Sequence, residues 1–157
     1  MKKSPVKILL LDSYLATIKN GVGTKLFRNL FVRTDNKRRD ILENGRLSCA
    51  VFTSAILLMF GLIKESHATV SGLIKDLEKS GWKKIAKPRP GAILIWDYQN
   101  FGKERHRHSG FYIGDRQAIS NSKTKRSPSK HHWTYGVKNG KVSRKVIAIY
   151  WSKKLGM

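Results

Sequence analysis

The run "CAVFTSAILLMFGLI", residues 49 to 63, limits the fold more than any other stretch of this chain. It is too long for one ordinary strand and, closed by Lys64 and Glu65, too short to cross a bilayer. It therefore reads as a buried helix, with Ser48 placed to cap it. A buried helix needs a core around it. A chain of 157 residues with 40% hydrophobic content can supply one without disulfides or a structural metal.

The segments around this run have different periods. Upstream, "DSYLATIKN" reads as a helix with Asp12 and Ser13 as caps and a stop before Gly21. "TKLFRNLFV" places Leu26, Phe27, Leu30 and Phe31 at helical spacing, and the charged segment after it ends in the turn pair Asn44-Gly45. Downstream, "TVSGLIKDLEKS" reads as a helix capped near Thr69 and closed by Gly81, with His67 as a packing or capping residue. Beyond it, "GAILIW", "HSGFYIG", "QAISN" and "RKVIAIYW" are short, β-branched and aromatic, and read as strands, with Asn139-Gly140 as a two-residue hairpin turn. Helices first and an antiparallel sheet second predict an α+β fold. No repeat or long linker divides the chain, so one domain is expected over 1–157, with 1–46 a helical N-terminal extension and 47–157 the core.

Cys49 is the only cysteine, so it is either a buried small hydrophobe or a working thiol. At the first turn of a helix it would face unsatisfied N–H groups and the positive end of the dipole, which predicts a depressed pKa. A thiol nucleophile also needs a base on a rigid element. In "RHRHSGFYIG", His108 opens a strand beside the small residues Ser109 and Gly110, with His106 as its competitor on the same face.

The segments "SCAVFTS", "PRPGAILIW" and "HSGFYIGDRQAIS", in that order, resemble the NlpC/p-sixty superfamily of papain-like cysteine peptidases over roughly residues 45 to 151. The resemblance implies an NlpC-type catalytic core in which Cys49 attacks an amide of peptidoglycan stem peptides and His108 is its base. It implies a third polar residue about a dozen positions after His108, which falls on Ser120 or Asn121. Asn121 has the better chemistry for fixing an imidazole tautomer, whereas strand parity allows only one of the two to face His108. His131 and His132 are fallback orienters. The sequence departs from the family at Ser48-Cys49-Ala50, where Asp-Cys-Ser is usual, and at Pro90-Gly91-Ala92, where Pro-Gly-Asp is usual. The chemistry so implied is hydrolysis through a thioester acyl-enzyme, with no metal or cofactor.

Charge narrows the partners. The chain carries 32 Lys and Arg against 10 Asp and Glu, a net +22, and beyond Asp115 there are eleven basic residues and no acid. Such a field attracts polyanions: peptidoglycan and other anionic wall polymers on the first reading, nucleic acid on the alternative reading in which Cys49 is structural. A related acyltransferase or an inactive scaffold would keep the fold without hydrolysis. No integral membrane segment is expected. Lys7 and Asp12 bracket an N-terminal apolar run too short for a signal peptide's core, and no cleavage site follows, so a cytoplasmic location is expected unless another route exports or releases the protein to the wall.

Overall fold

The computed structural model describes residues 1–156, with Phe101 described by its backbone alone. Helix α1 (Leu10–Asn20) leads to strands β1 (Phe31–Thr34) and β2 (Lys37–Asp40), then α2 (Cys49–Met59) and α3 (Val70–Lys79). Strands β3 (Lys83–Lys84), β4 (Ile93–Phe101), β5 (Glu104–Gly114), β6 (Gln117–Ser122) and β7 (Ser127–His132) follow. A small hairpin of β8 (Val137–Lys138) and β9 (Lys141–Val142) precedes β10 (Val146–Trp151) and a closing 3-10 turn, Lys153–Leu155. The main sheet has the order β3-β10-β4-β5-β6-β7, antiparallel throughout, so the expected α+β architecture is present.

α2 lies across β5 and β6. Phe52 meets Phe111 edge-on at 5.4 Å, and Tyr14 of α1 packs between Phe60 and Phe111 at 5.8 and 5.9 Å. The Tyr14 hydroxyl is buried and donates to the Gly91 carbonyl at 3.0 Å, pinning α1 to the turn that starts β4. The helix ends four residues before its apolar run does. Gly61, at φ +65, lets Leu62 N–H return to the Leu57 carbonyl (2.9 Å) and its own N–H to Leu58 (3.0 Å), satisfying the last carbonyls. α3 ends in the same way through Gly81, and its Thr69 hydroxyl accepts from Gly72 N–H, as expected.

The expected helical N-terminal extension is corrected by the structure: α1 is its only helix among the described residues. α1 starts at Leu10, so Asp12 and Ser13 lie inside it and do not cap it. The apolar residues of "TKLFRNLFV" do not share a buried face, and Leu26 is fully outside the core. Asp35 and Asn36, both at positive φ, turn the chain into the β1–β2 hairpin, which is a local turn chemistry stronger than the helical spacing. The Asp40 carboxylate then accepts from the Leu30, Leu42 and Asn44 N–H groups and the Asn29 amide. Although burial opposes it, this hydrogen bonding holds the carboxyl down to about 2. Strand β7, "SPSKHH", has no apolar pattern to announce it. Its Pro128 is tolerated because β7 is an edge strand, and the Pro128 carbonyl is covered by Gly23 N–H at 2.8 Å.

Candidate active site

β5, β6 and β7 set the site by register. His108 pairs with Trp96, Gly110 with Ser120, and Ala118 with His131. Since side chains alternate, His108, Ser120 and His131 share one face, while Ser109 and Asn121 point to the other. Gly110 is required here: a Cβ would come within 2.6 Å of the Ser120 Cβ and 2.7 Å of the Ile119 carbonyl. Its small size therefore admits β6 and Trp96, not a substrate backbone. Trp96 is fully buried and lies beside both imidazoles, 5.2 Å from His108 and 5.6 Å from His131.

The hydrogen bonds on this face fix their own direction. His131 Nδ1 is 2.7 Å from the His132 carbonyl, which can only accept, so Nδ1 carries the proton. Burial pushes the His131 pKa down, keeping the ring neutral and Nε2 bare. Ser120 Oγ, 2.7 Å away, donates to that Nε2. With its one proton used, Ser120 must accept from its other two partners, His108 Nε2 at 2.9 Å and the Tyr135 hydroxyl at 3.0 Å. His108 is thus an Nε2–H tautomer, and Nδ1 is its basic nitrogen. Its pKa is driven well below the ordinary value by burial first, then by the positive charge of Arg144. Tyr135 stacks on His131 at 4.0 Å and receives a further bond from Arg144.

Cys49, the first residue of α2, is half-buried against Ser109, the residue next to His108. The Ser109 and Ala50 N–H groups face the sulfur, and the Ser109 hydroxyl lies between it and Thr53 Oγ1, at 3.1 Å from the latter. The expected depressed thiol pKa is corrected: burial pushes it up, and outweighs those donors and the positive charge of Arg144. Ser48 is the residue before the helix, but its side chain makes no capping bond. Its buried Oγ has no partner.

Cys49, His108, Ser120 and His131 line one cleft of about 720 Å³. Asn121 also reaches its wall, yet its amide donates to the Gly45 carbonyl at 2.7 Å. The expected role of Asn121 as orienter is therefore corrected: Ser120 holds the imidazole, and Asn121 anchors the loop that leads into α2. The His132 side chain lies outside the chain of bonds, to which the residue contributes only its carbonyl. Its Nδ1 accepts from the Thr134 and Gly136 N–H groups and lies 2.9 Å from the Thr134 hydroxyl, which donates to the Gly136 carbonyl, shaping the turn that presents Tyr135. His106 sits at the rim, 3.0 Å from Glu104. Trp96, Tyr135 and Arg144 are the site residues that the sequence pattern did not single out as such. For Trp96 the signal was its place across from His108 in a hairpin, and for Arg144, in a loop before β10, there was none.

No protein-family model matches the chain, and no characterised protein matches it. Among the described residues, no cluster of three or more His, Cys, Asp or Glu could hold a metal ion, and no helix is long and apolar enough to cross a membrane.

Proposed function

We propose that the protein is a papain-like, NlpC-type cysteine hydrolase that cleaves peptide or amide bonds of peptidoglycan stem peptides. The observation that carries this reading is the directed chain His108–Ser120–His131, opening into the same cleft as the helix-end thiol of Cys49. A core histidine needs no bare Nδ1 in a cleft it shares with a cysteine, but a general base does.

The sulfur attacks the substrate carbonyl as His108 Nδ1 takes the thiol proton. Because burial raises the thiol and lowers the imidazole, the resting pair is neutral and proton transfer accompanies attack. The Cys49 N–H, without an intrahelical acceptor in the first turn, is the donor for the oxyanion. His108 then gives its proton to the leaving nitrogen as the C–N bond breaks, leaving a thioester. Water, deprotonated by the same Nδ1, releases the acid and restores the thiol. Ser120 keeps the ring in its tautomer throughout, and accepts more strongly from the imidazolium.

Purified sacculi test this directly. Wild type should release new amino termini, read by mass spectrometry, while Cys49→Ala should bind the sacculi and release none. Iodoacetamide should modify Cys49 more slowly than a free thiol at pH 6, and faster as pH rises. The alternative is favoured by the net charge of +22. If sacculi and their stem peptides stay intact while RNA or DNA binds tightly at physiological salt, nucleic-acid binding replaces the hydrolase reading.

A further inference from the structure

The β1–β2 hairpin is a basic ribbon outside the cleft. Arg33, Lys37, Arg38 and Arg39 are all exposed on it, and none of the four lines the cleft or has an ion pair among the described residues. Register puts Arg33 directly across from Arg38, and sets Lys37 and Arg39 on the other face, across from Thr34 and Val32. Like charges directly opposed destabilise a strand pair, so the Arg33–Arg38 pair is short of an anion. The ribbon's own acids do not supply it. The Asp40 carboxylate, on the Arg33 face, is taken up by the Leu30, Leu42 and Asn44 N–H groups and the Asn29 amide, and Asp35, in the turn, has no ion pair with either arginine.

The ribbon is also held at its root. Arg28, before β1, donates to the Arg126 and Lys125 carbonyls at 2.8 and 3.4 Å, and Arg126 donates to the Glu43 carbonyl, after β2, at 2.8 Å. These bonds tie both ends of the ribbon to the β6–β7 turn, which brings a further exposed cation, Lys125, to the root. Further out, the Arg38 guanidinium lies over the Phe31 ring, 3.8 Å from its centre, and is steadied there.

We propose that the β1–β2 ribbon is a docking site for duplex DNA: it enters the major groove with phosphates on both sides, and the β6–β7 turn meets the flanking backbone. Two features select this partner among polyanions. Cations stand on both faces of the ribbon, as a groove with a phosphate wall on each side requires, whereas a flat anionic surface or a single polymer strand is met from one face. Each strand has four residues, about 10 Å at the usual rise, and the major groove is about 8.5 Å deep and admits a two-stranded ribbon. The contacts are to phosphate, so binding is independent of base sequence. None of these cations lines the cleft, and the inference does not rest on the hydrolase reading.

The test is fluorescence anisotropy of the full-length protein with a short labelled DNA duplex over a salt series, with single-stranded DNA of the same sequence and glycerol-phosphate teichoic acid as competitors. Wild type should bind the duplex more tightly than either competitor. The double variant Arg33→Gln, Arg38→Gln should weaken duplex binding about tenfold or more at physiological salt and lower the slope of log K against log salt by about 2, about one for each lost phosphate contact. Lys37→Gln with Arg39→Gln, on the other face, should do the same. Lys83→Gln with Lys84→Gln removes equal charge on β3, at the far edge of the main sheet from β7, and should leave the slope unchanged and the affinity within about twofold. Equal loss in the β3 variant would mean a diffuse field and overturn the inference. Loss from one face alone, an equal affinity for the single strand, or no duplex binding would overturn it as well. Tighter binding to teichoic acid, lost in the ribbon variants, would give the ribbon to a wall polymer and not to DNA. If wild type releases no amino termini from sacculi, the hydrolase falls and the ribbon stands. If both ribbon variants bind the duplex like wild type, the ribbon falls and the hydrolase stands.

Discussion

His67 and His108 each hold Nε2 close to a single side-chain oxygen, at 2.7 and 2.9 Å, but the oxygens differ in kind. His67 faces the Asp76 carboxylate, which also accepts from the Lys64 and Glu65 N–H groups and the Ser80 hydroxyl. That cluster closes the loop between α2 and α3. His108 faces a hydroxyl whose proton is directed onward to His131, and it keeps Nδ1 unprotonated. A carboxylate partner makes a staple, while a directed neutral chain near a cation leaves a base available. The helix-end thiol lines the same cleft as the second of these and not the first.

Exchanging the two histidines' fates would break this contrast. His108→Ala should lower peptide turnover by about a hundred- to ten-thousand-fold, the range for a lost general base, with little change in stability. His67→Ala should do the reverse, lowering the denaturation midpoint while Cys49 stays reactive. Comparable activity losses in both would remove the distinction.

Asp76 gives the staple a pH signature. Burial would raise its carboxyl, but His67, the Lys64 N–H, Ser80 and the Glu65 N–H bring it from 3.8 to about 2. A depressed carboxyl stabilises the fold above about pH 4 and loses that contribution as pH falls through about 2. The shift corresponds to about 2 kcal/mol at neutral pH. Denaturant titrations of wild type at pH 7 and pH 3 should differ by at least part of this, and Asp76→Asn should be weakened at pH 7 and lose less than wild type over the same interval, the remainder coming from other depressed carboxyls such as Asp40.

Ser120 and Asn121 sharpen the comparison at neighbouring positions. Ser120→Ala should cost turnover about tenfold, because it frees the tautomer and leaves two imidazole nitrogens without a partner. Asn121→Ala should instead cost about 1 kcal/mol or more of stability, since a buried Gly45 carbonyl loses its donor. The smallest effect is expected at Ser48. Its hydroxyl is buried and unpartnered, so Ser48→Ala should be neutral or stabilising by up to about 1 kcal/mol in thermal unfolding.

What the sequence revealed follows from where the signals are local. The apolar run, Thr69, Gly81, Asn139-Gly140 and the aromatic strands each carry their own turn, cap or period, and each took its expected form, save that the helix of the apolar run stops at Met59. The hairpin at Asp35-Asn36 also had a local signal, which the helical spacing of Leu26, Phe27, Leu30 and Phe31 obscured. Strand parity allowed either Ser120 or Asn121 to face His108, and side-chain chemistry favoured the asparagine. The choice depended on Gly110, which brings Ser120 close, and on Gly45, which engages Asn121 from 76 residues away. Arg144 and Tyr135 enter through the loops around β8 and β9, whose sequence does not encode where they dock. The thiol pKa followed burial, which no residue pattern near Cys49 reports.

The central claim is that His108 is a neutral base whose Nε2–H is given to Ser120. Long-range 1H–15N correlation spectra of histidine-labelled protein between pH 5 and 8 read it directly. His108 should titrate below the ordinary imidazole value and, when neutral, hold its proton on Nε2, and His131 should carry its proton on Nδ1, with Ser120→Ala disturbing both. A His108 that titrates near the ordinary value of 6.5, or holds its proton on Nδ1, would contradict the account.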